Sequence, residues 1–273
     1  MSRKYRIEEE KAKQLQEEIL EDEDKLKQQR EKLFGPLVWC KLSSGIKIID
    51  LQPINYDQAA NIILDYFVNE DVIFRNATRF SDDVDSLASF RDKLIVSMMD
   101  RSSIIAVTED DEIAGILILK AVKKSDFGRV FSRVTIIQGK PYTSITKFMN
   151  KINRKVDVYK KFNCDIYLRY YLLCIKPEYR GKGLGFRLMS CGLDVARHLR
   201  ISVVMGIFDC WKLQQYAERL GMQRFYEYNY RKYRDRDREL VFCDLGAGNF
   251  TCSFMAGRVA SQTTPGDTKK VEK

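Results

Sequence analysis

Histidine is nearly absent: the chain of 273 residues has one, His198. Any Ser-His or Cys-His proton relay near neutral pH must therefore run through that residue. It lies in VARHLRIS, late in a predicted helix, where a cation near the C-terminus is a common structural choice. No apolar run reaches the roughly 18 residues of a membrane-spanning helix. The N-terminal MSRKYRIEEEKAK lacks the apolar core of a secretory signal, so no membrane association is expected and the cytoplasm is the expected compartment. The seven cysteines are odd in number and form no CxxC pair, which argues against zinc knuckles and a disulfide framework. No metal is expected, and no internal repeat is found.

What is present is the balance of a globular protein, 45% hydrophobic and 31% charged. Domains usually run to roughly 100 to 200 residues, and the chain reads as one domain with extensions. Residues 1–34 are nearly all Glu, Lys, Gln and Arg with sparse apolar positions (Leu15, Ile19, Leu20, Leu26, Leu33), a charged helical extension without the sustained heptads of a coiled coil. Gly35-Pro36 ends it. A globular domain is expected over 35–258 and a disordered tail over 259–273. The net charge of +9 is concentrated: Lys120 to Lys161 holds twelve Lys or Arg against Asp126 and Asp157. Such a surface suits phosphates, on nucleic acid or on a phosphorylated cofactor, or is a solvated face.

From residue 47 the pattern alternates between strand and helix periods. KIIDL (47–51) reads as a strand; Ala59, Ile62, Ile63, Tyr66 and Phe67 share one helix face; a second helix is expected from Ser86 to Met99. Residues 103–120 read as a hairpin around Glu109, Asp110 and Asp111. Strand 167–175, the loop EYRGKGLG, an amphipathic helix and strand 201–208 together form a crossover unit, hence one parallel pair. A helix from Trp211 to Leu220 stops at Gly221. Strands at about 224–231 and 240–245 are expected to flank RKYRDRDRE as an exposed hairpin.

In the crossover loop, glycines let backbone N–H groups converge without a side chain in the way, and the helix behind adds its positive end. The result is a pyrophosphate cradle, or on the loop alone a glycine turn without a ligand. The spacing is GxGxG, which is neither the dinucleotide GxGxxG nor a Walker loop.

Arg180, Gly183 and Gly185 within LLCIKPEYRGKGLG resemble the acyl-CoA-binding motif of the GNAT superfamily of N-acetyltransferases, and AERLGMQRFYEYNY (217–230) is similar to its C-terminal helix-to-strand segment. The narrower resemblance, over roughly 37–258, is to the insect arylalkylamine N-acetyltransferase-like group. It implies an α/β (α+β) fold: a mixed, mostly antiparallel central sheet with one parallel crossover pair and flanking helices, opening with a Trp-containing strand. It also implies acetyl-CoA as co-substrate, held by Arg180, Gly181, Lys182, Gly183, Leu184, Gly185 and Phe186 and lying alongside Leu173, Cys174 and Ile175. The general base of that group is a Glu in Asp-Glu-Pro; here the place reads Asn69-Glu70-Asp71, which makes Glu70 the candidate, or else an ordinary loop carboxylate. The two helix serines often found in the group are replaced by Asp209 and Leu213, and the aromatic acid position by Ala217, with Tyr216 one residue off on another helix face.

The expected function is acyl-CoA-dependent transfer, foremost of acetyl, to the primary amine of a small arylalkylamine or related compound, by direct attack in a ternary complex. A backbone N–H near Cys174 or Ile175 is expected to bond the thioester oxygen. Cys174 or Cys210 as a covalent nucleophile is disfavoured, because free cysteine usually packs as a small hydrophobe and no His or Lys partner is evident. Asp71 and Asp209 are the next base candidates after Glu70. A protein or peptide acetyltransferase with an acidic partner on the basic segment, and a non-catalytic acyl-CoA-binding module, remain the alternatives. Nucleic-acid binding lacks a recognised module, and a monomer is expected.

Overall fold

The computed structural model describes residues 35–77, 79–126, 138–234 and 238–260. The chain divides into Met1–Leu37 and Val38–Lys273, and all that follows concerns the second unit. The charged extension and nearly all of the tail lie outside the described residues. The strands are β1 (Val38–Lys41), β2 (Lys47–Asp50), β3 (Ile104–Val107), β4 (Ile113–Lys123), β5 (Ile166–Ile175), β6 (Val203–Phe208), β7 (Gln223–Asn229) and β8 (Thr251–Arg258). They form one sheet in the order β1-β2-β3-β4-β5-β6-β8-β7, in which β5 and β6 are parallel and the other neighbours antiparallel. This is the mixed, mostly antiparallel sheet the sequence implied.

The helices are α1 (Tyr56–Tyr66), α2 (Val72–Arg75), α3 (Val84–Met98), α4 (Lys140–Asn153), α5 (Val158–Phe162), α6 (Leu184–His198) and α7 (Trp211–Arg219). Helix α1 buries Ala59, Ile62 and Ile63 of the face its apolar spacing predicts; on α6 the predicted face of Phe186, Met189, Leu193 and Ala196 is turned, with Met189 and Ala196 buried beside Leu184, Leu188 and Val195, and Phe186 and Leu193 half-buried. Helices α1 to α4 cover one face of the sheet with Phe74, Phe90 and Phe148, while α6 and α7 cover the other through Leu188 and Ala217. The long strands in between are buried on both sides, so β4 runs through seven consecutive buried residues. Among the described residues no helix is long and apolar enough to cross a membrane.

One expectation is corrected. Residues 240–245 are not a strand; apart from a single bridge between Arg234 and Leu240, the segment is an extended loop. Asn76 holds it there, its Oδ1 accepting from Cys243 N (2.9 Å) and Asp244 N (2.8 Å) and its Nδ2 donating to Asp244 O (2.6 Å), while Phe242 is buried against Phe148 and Tyr230. The partner of β7 is instead β8, inserted between β6 and β7. Its core, Cys252 to Ala256, is fully buried on both faces and so carries no alternation for a sequence pattern to reveal.

Candidate active site

The parallel ladder is short. Strands β5 and β6 pair at Leu168–Val204, Arg169–Met205 and Tyr170–Gly206 and then separate. At that level the β4–β5 register slips: Ile118 faces Leu172 and Leu119 faces Tyr170, which leaves Tyr171 as the extra, bulged residue. From Tyr171 to Ile175, β5 still bonds β4 but has lost its neighbour on the β6 side. Leu173, Cys174 and Ile175 occupy this parted end.

The glycine loop follows directly. Arg180 Nε donates to Ile175 O (2.8 Å), tying the loop back to the strand. The approach is pinned by Glu112 at the β3–β4 hairpin, which accepts from Lys176 Nζ (2.6 Å) and Tyr179 OH (2.8 Å); these bonds hold its carboxyl below its ordinary pKa. Gly181 (φ 77°) and Gly183 (φ 78°) adopt the left-handed region, and a Cβ on either would meet nothing within 4 Å. Gly183 is the N-cap of α6 and supplies no side-chain cap, so the first N–H groups of a 15-residue helix open on this space. Gly185 is close-packed instead, its notional Cβ 3.3 Å from Leu173. Leu184 is buried and anchors the turn; Lys182 is exposed. Phe186 is flanked by Tyr216 (edge-on, 5.4 Å) and the Arg219 guanidinium (4.1 Å), so Tyr216 sits by the loop although it is off the family's acid position. Ala217, at that position, is fully buried. The fit to a diphosphate is a matter of donors and space: uncapped N–H groups, two glycines without obstruction, and a helix dipole.

Carboxylates gather where the strands part. Glu70 Oε2 forms an ion pair with Arg180 Nη1 (2.6 Å), both side chains being about half-exposed, so the candidate base is tied to the loop arginine. Next to it Asp71 caps α2, accepting from Ile73 N (2.9 Å) and Phe74 N (3.0 Å). Asp71 keeps part of its surface open to a cavity but sits deep in the protein, beside the Asp209 carboxyl. Burial first, and the Asp209 charge second, raise its carboxyl well above the usual range. Asp71 is thereby disposed to keep its proton beside the Asp209 carboxyl. The cavity, about 370 Å³, extends from these two residues between the sheet and helices α3 and α4. Phe67, Phe74, Phe90, Tyr142 and Tyr171 line it; Glu70 stands outside the lining.

Both thiols near the site are unsuited to nucleophilic attack. Burial pushes Cys174 up to about 12 and Cys210 higher still, so neither supplies thiolate at neutral pH. His198 closes α6, edge-on to Trp39 at 5.5 Å; over 15 residues that is about 22 Å of helix from the glycine loop. The basic segment is divided. Lys147 and Lys151 on the outer face of α4, with Arg154 and Lys155 just past its end, lie on the sheet face opposite α6, where Lys151 Nζ stands 4.9 Å over Tyr228. Lys120 instead enters the cavity, and residues 127–137 lie outside the described residues.

The sequence matches the model of the acetyltransferase (GNAT) family over residues 72–230, a span that begins just after Glu70 and Asp71 and contains the glycine loop. Among curated proteins no sequence matches the chain. Solved structures with the same fold include arylalkylamine N-acetyltransferase 2 from Aedes aegypti, 19% identical, with a TM-score of 0.71 over 79% of this chain and 99% of that one. A putative arylalkylamine N-acetyltransferase 7 from the same mosquito is 20% identical, with a TM-score of 0.72 over 82% and 96%. A polyamine N-acetyltransferase of Drosophila melanogaster, which forms N-acetylagmatine, is 17% identical, with a TM-score of 0.66 over 78% and 99%.

Proposed function

The chain belongs to the GNAT acetyltransferase family, and on that premise we propose that it transfers an acyl group, foremost acetyl from acetyl-CoA, to the primary amine of a small arylalkylamine or related amine in a ternary complex. The observation that carries this reading is the junction of three features: parted strands β5 and β6, an uncapped glycine turn at the start of α6, and a cavity lined by aromatic rings and carboxylates. The arylalkylamine and polyamine acetyltransferases named above share the fold, and the cavity suits an acceptor of that size.

Bound acetyl-CoA supplies an activated thioester. The helix start and Gly181–Gly183 hold its diphosphate, and a backbone N–H of the parted end of β5, at Cys174 or Ile175, bonds the oxygen that becomes an oxyanion. Such a donor is worth about 2.7–4 kcal/mol. A primary ammonium has a pKa of about 10.4, so about one molecule in a few thousand is nucleophilic at pH 7. Glu70 takes the proton, directly or through water, as the amine attacks the carbonyl carbon and the carbon–sulfur bond breaks. A leaving thiol with pKa about 8.5 departs as thiolate without a dedicated acid. One observation favours a second assignment of the base: Asp71 and Asp209 line the cavity, whereas Glu70 is held by Arg180. A carboxyl whose affinity for protons is already raised, as at Asp71, is suited to act as a base near neutral pH.

A cavity of about 370 Å³ is of the size that holds a small amine. The test is thiol release by the purified protein with acetyl-CoA and long-chain acyl-CoAs against a panel of aryl and alkyl amines. Turnover of at least one small amine is expected. Calorimetric CoA binding with no thiol release from any amine would make the protein a binding module.

A further inference from the structure

The cavity has a second charged end that amine acetylation alone does not require. Lys120 on β4 and Arg169 on β5 are cross-strand partners, and Lys93 reaches them from α3; all three line the cavity. Arg169 Nε is buried without a hydrogen-bond partner among the described residues, and its guanidinium lies 5.4 Å from the Tyr171 ring. Among the described residues no carboxylate forms an ion pair with any of the three. Burial, then the charges of Lys120 and Arg169, lower Lys93 to about 8, the signature of cations crowded together without a counter-charge. Proteins seldom bury unpaired charge unless a ligand completes the pair.

The acidic and basic groups are at opposite ends. Arg169 is level with Met205 on β6, and Asp209 lies four residues further along the chain. At about 3.3 Å per residue the two ends stand roughly 13 Å apart. Phe67, Phe74, Tyr142 and Tyr171 line the same cavity. The cavity thus has carboxyls at one end, three cations at the other and aromatic rings in its lining.

We infer that the acceptor is a bipolar molecule: an amine at the Asp71–Asp209 end, a flat or apolar middle, and a remote anion, carboxylate, sulfate or phosphate, held by Lys93, Lys120 and Arg169. This rests on the N-acyltransfer reading for its amine end, while the anion end stands on the cation cluster. It separates the acceptor from plain arylalkylamines, which have no group for the cations, and from polyamines, which would meet like charge there.

The test compares phenethylamine with 4-(2-aminoethyl)benzoate and tyramine phosphate, titrated calorimetrically into the protein saturated with CoA. The anionic amines are expected to bind about tenfold or more tightly than phenethylamine, as charge-assisted hydrogen bonds to a desolvated group allow. Which of the two binds better reports carboxylate against phosphate. Lys93→Met and, separately, Arg169→Gln should each remove most of that preference; Lys93→Met keeps the apolar stem and takes a buried charge away, so a folded variant is secured. Equal affinity for charged and uncharged amines, or a preference that survives in both variants, overturns the inference. Thiol release is recorded on the same samples with acetyl-CoA in place of CoA. Absence of turnover from every amine sinks the N-acyltransfer reading, while binding alone decides the anion end.

Discussion

The two halves of the site are built on opposite plans. The proposed CoA half is one short stretch, Ile175 to Phe186, in which strand end, turn and helix start are covalent neighbours. The proposed acceptor half draws Asp71, Lys93, Lys120, Arg169 and Asp209 from five places in the chain, joined only when the sheet and its helices close. A local turn needs particular residues at particular spacings, so it stays recognisable; a pocket wall needs only side chains of the right size and charge from wherever the chain passes. The first half states the chemistry, and the second the substrate.

The comparison breaks most sharply at Gly183. A valine there must adopt φ near 78°, and its side chain would enter the open space before the uncapped helix start. Losing two charge-assisted hydrogen bonds at about 1.5–3 kcal/mol each corresponds to roughly a thousandfold weaker CoA binding. Calorimetry on a Gly183→Val variant with unchanged circular dichroism checks this. Near-normal CoA affinity would mean that the diphosphate lies elsewhere. Binding of 4-(2-aminoethyl)benzoate, which depends on the distant cavity, should change far less.

Legibility follows the same division. Arg180, Gly183 and Gly185 could be read because each has a conformational or steric duty within six residues, and the crossover topology could be read because strand, loop, helix and strand follow in order. Lys120 was legible only as part of a basic stretch, since nothing local says that its side chain points beneath α3 and not into solvent. Asp209 was visible as a residue standing where serine is common, but its pairing with Asp71 joins β6 to α2 across the whole domain. Strand β8 escaped notice because burial on both faces erases alternation, and the apolar 240–245 was mistaken for its replacement because Phe242 is buried from a loop.

Within the acceptor half, the base assignment separates the mouth of the site from its interior. Glu70→Gln and Asp209→Asn both preserve size and hydrogen bonding while removing a carboxylate. The group that takes the amine proton should cost turnover on the order of a hundredfold at pH 7, partly relieved at higher pH as free amine accumulates, with CoA affinity little changed. A deficit confined to Glu70→Gln places the base at the mouth; one confined to Asp209→Asn places it in the cavity. A Glu70→Gln variant that loses CoA binding as well as turnover would show that its pairing with Arg180 serves the loop.

The smallest effect concerns the influence of the Asp209 charge on the Asp71 carboxyl. Burial and the neighbouring charge raise the Asp71 carboxyl above its unfolded value of about 3.9. The native state therefore binds more protons than the unfolded chain between the two values. Stability from this group is fully present below the unfolded value and is lost as pH rises through the folded one. Asp209→Asn removes the second cause of that rise and leaves the first, so the loss on raising the pH becomes shallower. The variant should exceed the parent in stability near pH 7, and the two should converge at low pH, where the Asp71 carboxyl is protonated in the native and the unfolded chain alike. Urea midpoints between pH 4 and 8 measure this difference. If the curves of parent and variant run parallel across that range, Asp209 exerts no charge on Asp71, and the interior pair loses its claim to the amine proton.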